Sequence, residues 1–348
     1  MSKSDLASGV APARHAEKVP PVQSPRSHRN RRSRLGGGIV VLIGCFVLVL
    51  AALLPLYAYP RVAQLPDDPQ DGTTLRATGA TMLVPDLKSP TGATVLQDAK
   101  VQVSTFASGV PDAAYGDSVA WEIASRTSVE GHGLISAQVE RFSLDRKTAE
   151  PTNCCGDRLV TTAEDTQGVP LTHHGYTVWP FDVQKHSYQL WDVTLRHSKT
   201  ANFTGVETRL GVRTNVYRST VPLQAVGTTE LPGSFFGSSA PSVKATSQYA
   251  DVSTYWIAPA TGGVIGLREE TTQQFTYGGH TVTAFKANLV MDAPTASRLA
   301  DYKRGALVLP LLRGRASWVL VVIGIGLVVL GAWLMSSRRR PRPAPAAS

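Results

Sequence analysis

Cysteine is scarce: three residues in 348. Cys45 lies inside a long apolar run, where a thiol acts as a small apolar packing group. The other two, Cys154 and Cys155, are adjacent, so no long-range disulfide can staple the region between the two apolar runs. A disulfide-framework domain is thereby excluded. Motifs that carry chemistry are also missing. There is no G-x-S-x-G elbow, no H-E-x-x-H, no phosphate-cradling G-x-x-x-x-G-K-[ST] and no G-x-G-x-x-G after a strand. Nothing in the pattern asks for a cofactor, a metal or a catalytic group, and the chain reads as non-enzymatic. A basic body is missing too. The formal charge is +9, but residues 1–35 hold eight Lys/Arg against two acids, and residues 338–348 hold four Arg and no acid. The remaining 23 basic and 24 acidic residues leave the body at −1, which excludes nucleic acid as a partner, since that needs a basic face on a folded domain.

What is present is first of all two uncharged runs. Leu35–Pro60 holds 26 residues without a charge, and Ala316–Ser337 holds 22. At 1.5 Å rise per residue, either run crosses a hydrocarbon core of about 30 Å. Tyr57, Tyr59, Trp318 and Trp333 stand near their ends, the usual interfacial positions of aromatic rings. The first run is longer than a signal-peptide core and Leu56–Arg61 offers no small-x-small cleavage site, so an uncleaved anchor is expected. The Arg clusters at 26–34 and 338–342 flank the runs on their terminal sides, and positive flanks stay in the cytoplasm. The expected layout is a disordered basic cytoplasmic tail (1–35), a first span (36–59), an extracytoplasmic domain (60–315), a second span (316–337) and a second basic tail (338–348). The location is then the plasma membrane, with lipid as the first partner.

Between the spans, period-two alternation marks strands. It appears at Val119–Ile123, Ile135–Val139, Tyr188–Leu190, Trp191–Leu195 and Thr281–Leu289. Turn chemistry separates them: Pro90–Gly92, Asp145–Thr148, Pro259–Gly263 and Gly278–Gly279. Long helical patterns and fixed-period repeats are absent. The expected fold class is mainly β, a large antiparallel sheet that is curled or sandwich-like, with two terminal transmembrane helices. A single helix is expected near 295–309, with Thr295 as its N-cap after Pro294. No segment reads as a set of lipid-facing barrel strands.

Adjacent Cα atoms lie about 3.8 Å apart, below the usual disulfide span, so a Cys154–Cys155 bond needs a tight turn, which Gly156 suits. Three states are open: a vicinal disulfide acting as a turn clamp, which the reading favours, free thiols, or an intermolecular bridge or metal. His173 and His174 follow, but adjacent pairs lack the ligand gaps of a zinc site. Trp179–Asp182 is an aromatic cluster that suits a core better than a ligand surface, and Asn202–Thr204 fits the glycosylation pattern. Tyr59–Arg61, Gly79–Thr81, Thr91–Thr94, Asn153-Cys-Cys-Gly156, Phe181-Asp182, Leu231–Ser234 and the closing span together resemble an actinobacterial family of two-span envelope proteins known as PorA-family porins. The resemblance covers roughly residues 36–337 and implies a porin-like role. Two helices cannot enclose a water channel, so a pore would require oligomers of unspecified size. The layout is also similar to that of two-span scavenger receptors that carry lipid through a tunnel. By that analogy the outer domain binds or passes lipid or lipoglycan. An accessory role beside an envelope-synthesis enzyme is a third reading.

Overall fold

A computed structural model describes residues 27–86, 88–89, 91–161 and 167–336. The tails expected to be disordered lie outside the described residues, except that helix α1 (Ser27–Leu53) starts within the basic leader. A π-type turn follows at Leu54–Ala58, where Pro55 cannot supply a backbone N–H, and α2 (Tyr59–Val62) completes the run. At the other end, α3 (Ala296–Pro310) passes through a second π-type turn, Leu311–Arg315, into α4 (Ala316–Ser336). Thr295 Oγ1 accepts from the Arg298 N–H at 3.4 Å and caps α3. Both apolar stretches, Leu35–Val62 and Ala296–Ser336, are long enough to span a membrane.

The chain divides into two compact units, one holding α1 up to Val49 with α4 from Leu320, the other Leu50–Val319. In the first, α1 and α4 run antiparallel and touch through glycines. A Cβ added at Gly44 would lie 2.9 Å from the Gly324 carbonyl oxygen, and one at Gly331 would lie 2.7 Å from that of Gly37. Small residues let helix backbones approach this closely, which is how helices associate in lipid. Leu42, Phe46 and Val322 are exposed, as a lipid-facing surface requires, and so is the free thiol of Cys45.

The second unit is built on one antiparallel sheet of twelve strands. They are β1 (Asp71–Pro85), β2 (Ala93–Gly109), β3 (Ser118–Val129), β4 (Gly133–Asp145), β5 (Arg158–Val160) and β6 (Val169–Pro170). Then come β7 (Tyr188–Asp192), β8 (His197–Arg209), β9 (Val212–Leu231), β10 (Val243–Ile257), β11 (Val264–Tyr277) and β12 (His280–Met291). The order β6-β5-β4-β3-β2-β1-β12-β11-β10-β9-β8-β7 is two meanders joined where β1 pairs with β12, Leu75 opposite Met291. It is one open sheet rather than two stacked ones. Long strands carry the right-handed twist far enough to roll the sheet. The roll brings its ends together: Trp191 on β7 donates Nε1–H to Glu140 Oε1 on β4 at 2.6 Å. The segment between β6 and β7 runs along the outer edge of β7, with Tyr176 N–H bonded to the Gln189 carbonyl and Trp191 N–H to the Tyr176 carbonyl. That covers one exposed sheet edge.

Alternation locates four of the twelve strands, β3, β4, β7 and β12, but β7 stops at Asp192. The expected continuation through Leu195 is a turn, because Asp192 Oδ1 accepts from the N–H groups of Thr194 and Leu195 at 3.0 and 3.1 Å. A carboxylate that satisfies two amides locally takes them out of the ladder. Trp179 packs with Tyr188, Tyr217 and Tyr255 in the core, ring centres 4.7–5.7 Å apart. A second cluster gathers Val119, Trp121, Phe142 and Leu144. Helix α3 lies on the β10–β11 turn, the Tyr302 ring against Gly263, with Leu299 and Tyr302 on Val212, Ala258 and Ile265.

Candidate functional site

Three polar centres stand out. The first is a cavity of about 660 Å³ in the β-sheet unit, walled by α2, the end of α3 and the π-type turn after it, the β6–β7 segment, the start of β9 and the β10–β11 turn. Its apolar wall is Tyr59, Val183, Pro259, Leu309 and Pro310. The loop that forms one side is pinned in place. Val183 N–H bonds to the Pro259 carbonyl at 2.8 Å, and Asn215 Nδ2 donates to the Val183 carbonyl at 3.1 Å. The polar lining includes Asp182, Lys185, Arg213, Arg313 and Arg315. Arg313 forms an ion pair with Asp182. Lys185, Arg213 and Arg315 are exposed and have no carboxylate partner among the described residues. Arg315 immediately precedes α4, and Tyr59 opens α2.

The second centre is buried at the seam of the roll. His173 Nδ1 lies 2.9 Å from Asp157 Oδ2, and its Nε2 lies 2.9 Å from Glu140 Oε1. Burial alone would lower the imidazole pKa, but hydrogen bonds to two carboxylates outweigh it and raise it to about 9. At neutral pH the ring is an imidazolium that donates from both nitrogens. Asp157 is held in turn by the Ser143 hydroxyl at 2.8 Å and the Ser143 N–H at 3.1 Å. The Asn-Cys-Cys-Gly turn closes this centre from one side. Asn153 Oδ1 accepts from His173 N–H at 2.7 Å, its Nδ2 donates to the His173 carbonyl at 3.0 Å, and Cys154 N–H donates to Ser143 Oγ at 3.0 Å. The two cysteine sulfurs are bonded, with Cα atoms 3.7 Å apart. Asn153 and Gly156 both take positive φ, 50° and 76°, a left-handed geometry that Asn and Gly enter most readily. His174 points to the surface and takes no part. Among the described residues, no three His, Cys, Asp or Glu side chains are grouped to hold a metal ion.

The third centre is on the inner face of β7, β8 and β10. Lys199 Nζ is 2.8 Å from Asp251 Oδ2 and 3.0 Å from Asp192 Oδ2, and the Tyr249 hydroxyl donates to Asp192 at 3.2 Å. Burial opposes the lysine charge, yet Tyr255, Asp192 and Asp251 around it hold its pKa above the ordinary value. Burial raises Glu269 on the neighbouring strand to about 7, with Lys199 opposing and Asp251 and Asp192 adding to it. Lys199 Nζ is shared between Asp192, Asp251 and the Ser253 hydroxyl, so this ion-paired group ties β7, β8 and β10 together inside the roll.

The adjacent cysteines, the only site residues legible beforehand, thus sit beside the His173 centre. Glu140, Asp157 and Ser143 were not legible, since they meet His173 only through the pairing of β4 with β5 and the return of the chain after β6. The cavity cations come from separate segments with no shared motif.

The fold and these centres define a membrane protein: a large antiparallel sheet with two apolar helices, one near each end, and an amphipathic cavity in the sheet unit. Residues 36–333 match the family described as Porin PorA, and the chain belongs to that family. It is 26% identical over 221 residues to a protein named Porin PorA from Corynebacterium amycolatum, covering 54% of this chain. The chain spans 57% of the length of that relative. A membrane location fits both the family and the two apolar helices.

Proposed function

We propose that the chain is a two-pass plasma-membrane protein with both basic tails in the cytoplasm and residues 60–315 outside. The outer domain binds or passes a lipid or lipoglycan during envelope biogenesis, without catalysis of its own. The observation that carries the reading is the cavity of about 660 Å³, within the usual range of small-molecule sites. Its wall joins apolar and charged side chains beside the ends of the two apolar stretches. An amphiphile meets both kinds of surface there. The bonded Cys154–Cys155 pair acts, in this reading, as a clamp on the turn that holds His173. The test is extraction of the full chain in mild detergent followed by mass spectrometry of co-purified lipid. A stoichiometric lipid or glycolipid is expected, and protein that is lipid-free under conditions that keep it folded overturns the reading.

A second reading, an oligomeric pore, is favoured by the family. Among the described residues the end strands β6 and β7 do not pair with one another, and Trp179, Tyr217 and Phe142 are packed in core clusters of the sheet unit. Conduction would therefore arise between copies. Discrete current steps from cross-linked oligomers in planar bilayers would favour this reading, and silence from them would remove it.

A further inference from the structure

Four cations and one carboxylate line the base cavity. Asp182 neutralises Arg313, which leaves Lys185, Arg213 and Arg315 unpaired among the described residues. The body of this protein is otherwise close to neutral, with 23 basic and 24 acidic residues between the tails, so this gathering is a local excess. Exposed cations are ordinarily just solvated surface. Arg313 and Arg315 alone could be explained as interfacial anchors flanking a span. Lys185 and Arg213 cannot, because they come from the β6–β7 segment and from β9, far from either helix in sequence. Here they face a concavity whose other wall is apolar and whose loop is held by the Asn215–Val183 hydrogen bond.

We infer that this cavity binds a phosphate oxyanion, in the form of a lipid head group, with Lys185, Arg213 and Arg315 as its ligands. The inference rests on the proposed lipid-binding role and narrows its substrate class. A guanidinium presents a planar fork to two phosphate oxygens, and the lysine adds a point charge. The volume exceeds that of an inorganic phosphate, leaving room along Leu309, Pro310 and Tyr59 for glycerol and the upper acyl chain. A choline-bearing head group would bring a cation against three others and is disfavoured.

The experiment is isothermal titration of the full chain in uncharged detergent with three probes: dioctanoyl phosphatidic acid, dioctanoylglycerol and inorganic phosphate. Phosphatidic acid is expected to bind at least about tenfold more tightly than the other two. Arg213→Gln and Lys185→Gln each alter an exposed, unpaired side chain, and each is expected to weaken phosphatidic acid about tenfold while leaving dioctanoylglycerol unchanged. Arg213→Lys should restore most of the loss. Asp182→Asn frees Arg313 and should strengthen binding, a change of opposite sign that general damage to the fold would not produce. Equal binding of both lipids, unmoved by these variants, overturns the oxyanion site and leaves the lipid-binding role standing. Binding of neither lipid overturns both. Inorganic phosphate matching phosphatidic acid upholds the oxyanion site and overturns the lipid as its source.

Discussion

His173 carries a charge that the roll depends on. Its imidazolium bridges Asp157 on one side and Glu140 on the other, and Glu140 in turn receives Trp191 from the far end of the sheet. Its folded pKa is about 9 against an ordinary 6.5. A raised pKa means that stability is fully present below the unfolded value and is lost as pH climbs through the folded one. The window is therefore pH 6.5 to 9, with a span of roughly 3 kcal/mol for a buried ring. Glu269, raised to about 7, makes a separate loss between its ordinary 4.5 and 7. The melting temperature of the full chain in detergent should fall between pH 7 and 9. His173→Gln should melt lower at pH 6 and lose that slope, while keeping the loss at lower pH. A wild-type profile flat from 7 to 9 would show that the seam does not depend on the imidazolium. At Cys154 and Cys155, alkylation of the denatured chain without reductant should add one label, at Cys45, and after reduction three. Three labels at the outset would mean that the pair is free and the turn is held by Asn153 alone. The cysteines could be picked out in the sequence because they are adjacent and rare. Their setting could not, since Asn153 and Ser143 act on His173 and Asp157 only through hydrogen bonds between separate segments.

At the scale of elements, legibility followed how local the cause is. The alternation at Val119–Ile123 and Thr281–Leu289 is a property of neighbours, and both stretches are strands, in β3 and β12. The turns at Gly278–Gly279 and Pro259–Gly263 sit where the glycines allow them, between β11 and β12 and between β10 and β11. The failure at Val193–Leu195 is instructive, because apolar alternation was real but Asp192 captured two amides and ended the strand. The pairing of β1 with β12 was beyond reach, as it joins residues at opposite ends of the domain. The apolar helices were legible by length alone, and close packing through Gly324 and Gly326 could be expected, but not which of the two makes the contact. Gly324 meets Leu48 and the Gly44 carbonyl, whereas Gly326, one step along the same stretch, meets nothing within 4 Å. Gly44→Leu should therefore separate α1 from α4 at a cost of about 1–3 kcal/mol, and Gly326→Leu should be near neutral. Thermal melts of both variants in detergent decide it, and equal effects would count against a glycine-mediated contact.

For the whole molecule, charge distribution and fold point to one arrangement. The tails hold a net charge of +10 against −1 for the rest of the chain, and three exposed cations without a carboxylate partner among the described residues line one cavity of the sheet unit. If both tails face the cytoplasm, the sheet unit and its cavity lie on the outer side of the membrane, where an extracted lipid would meet them. If the orientation were reversed, the same cations would lie on the cytoplasmic side, where anionic lipid would make the cavity an electrostatic anchor instead. Orientation thus decides between two roles for one set of residues. A Cys45→Ser background allows the test. Tyr115→Cys replaces a side chain that is 81% exposed on the β2–β3 loop, and Ser348→Cys marks the C-terminal tail. In spheroplasts, a membrane-impermeant maleimide should label Tyr115→Cys at once and Ser348→Cys only after the membrane is permeabilised. The opposite order would put the sheet unit in the cytoplasm and remove the outer-leaflet role, whatever the cavity binds in detergent.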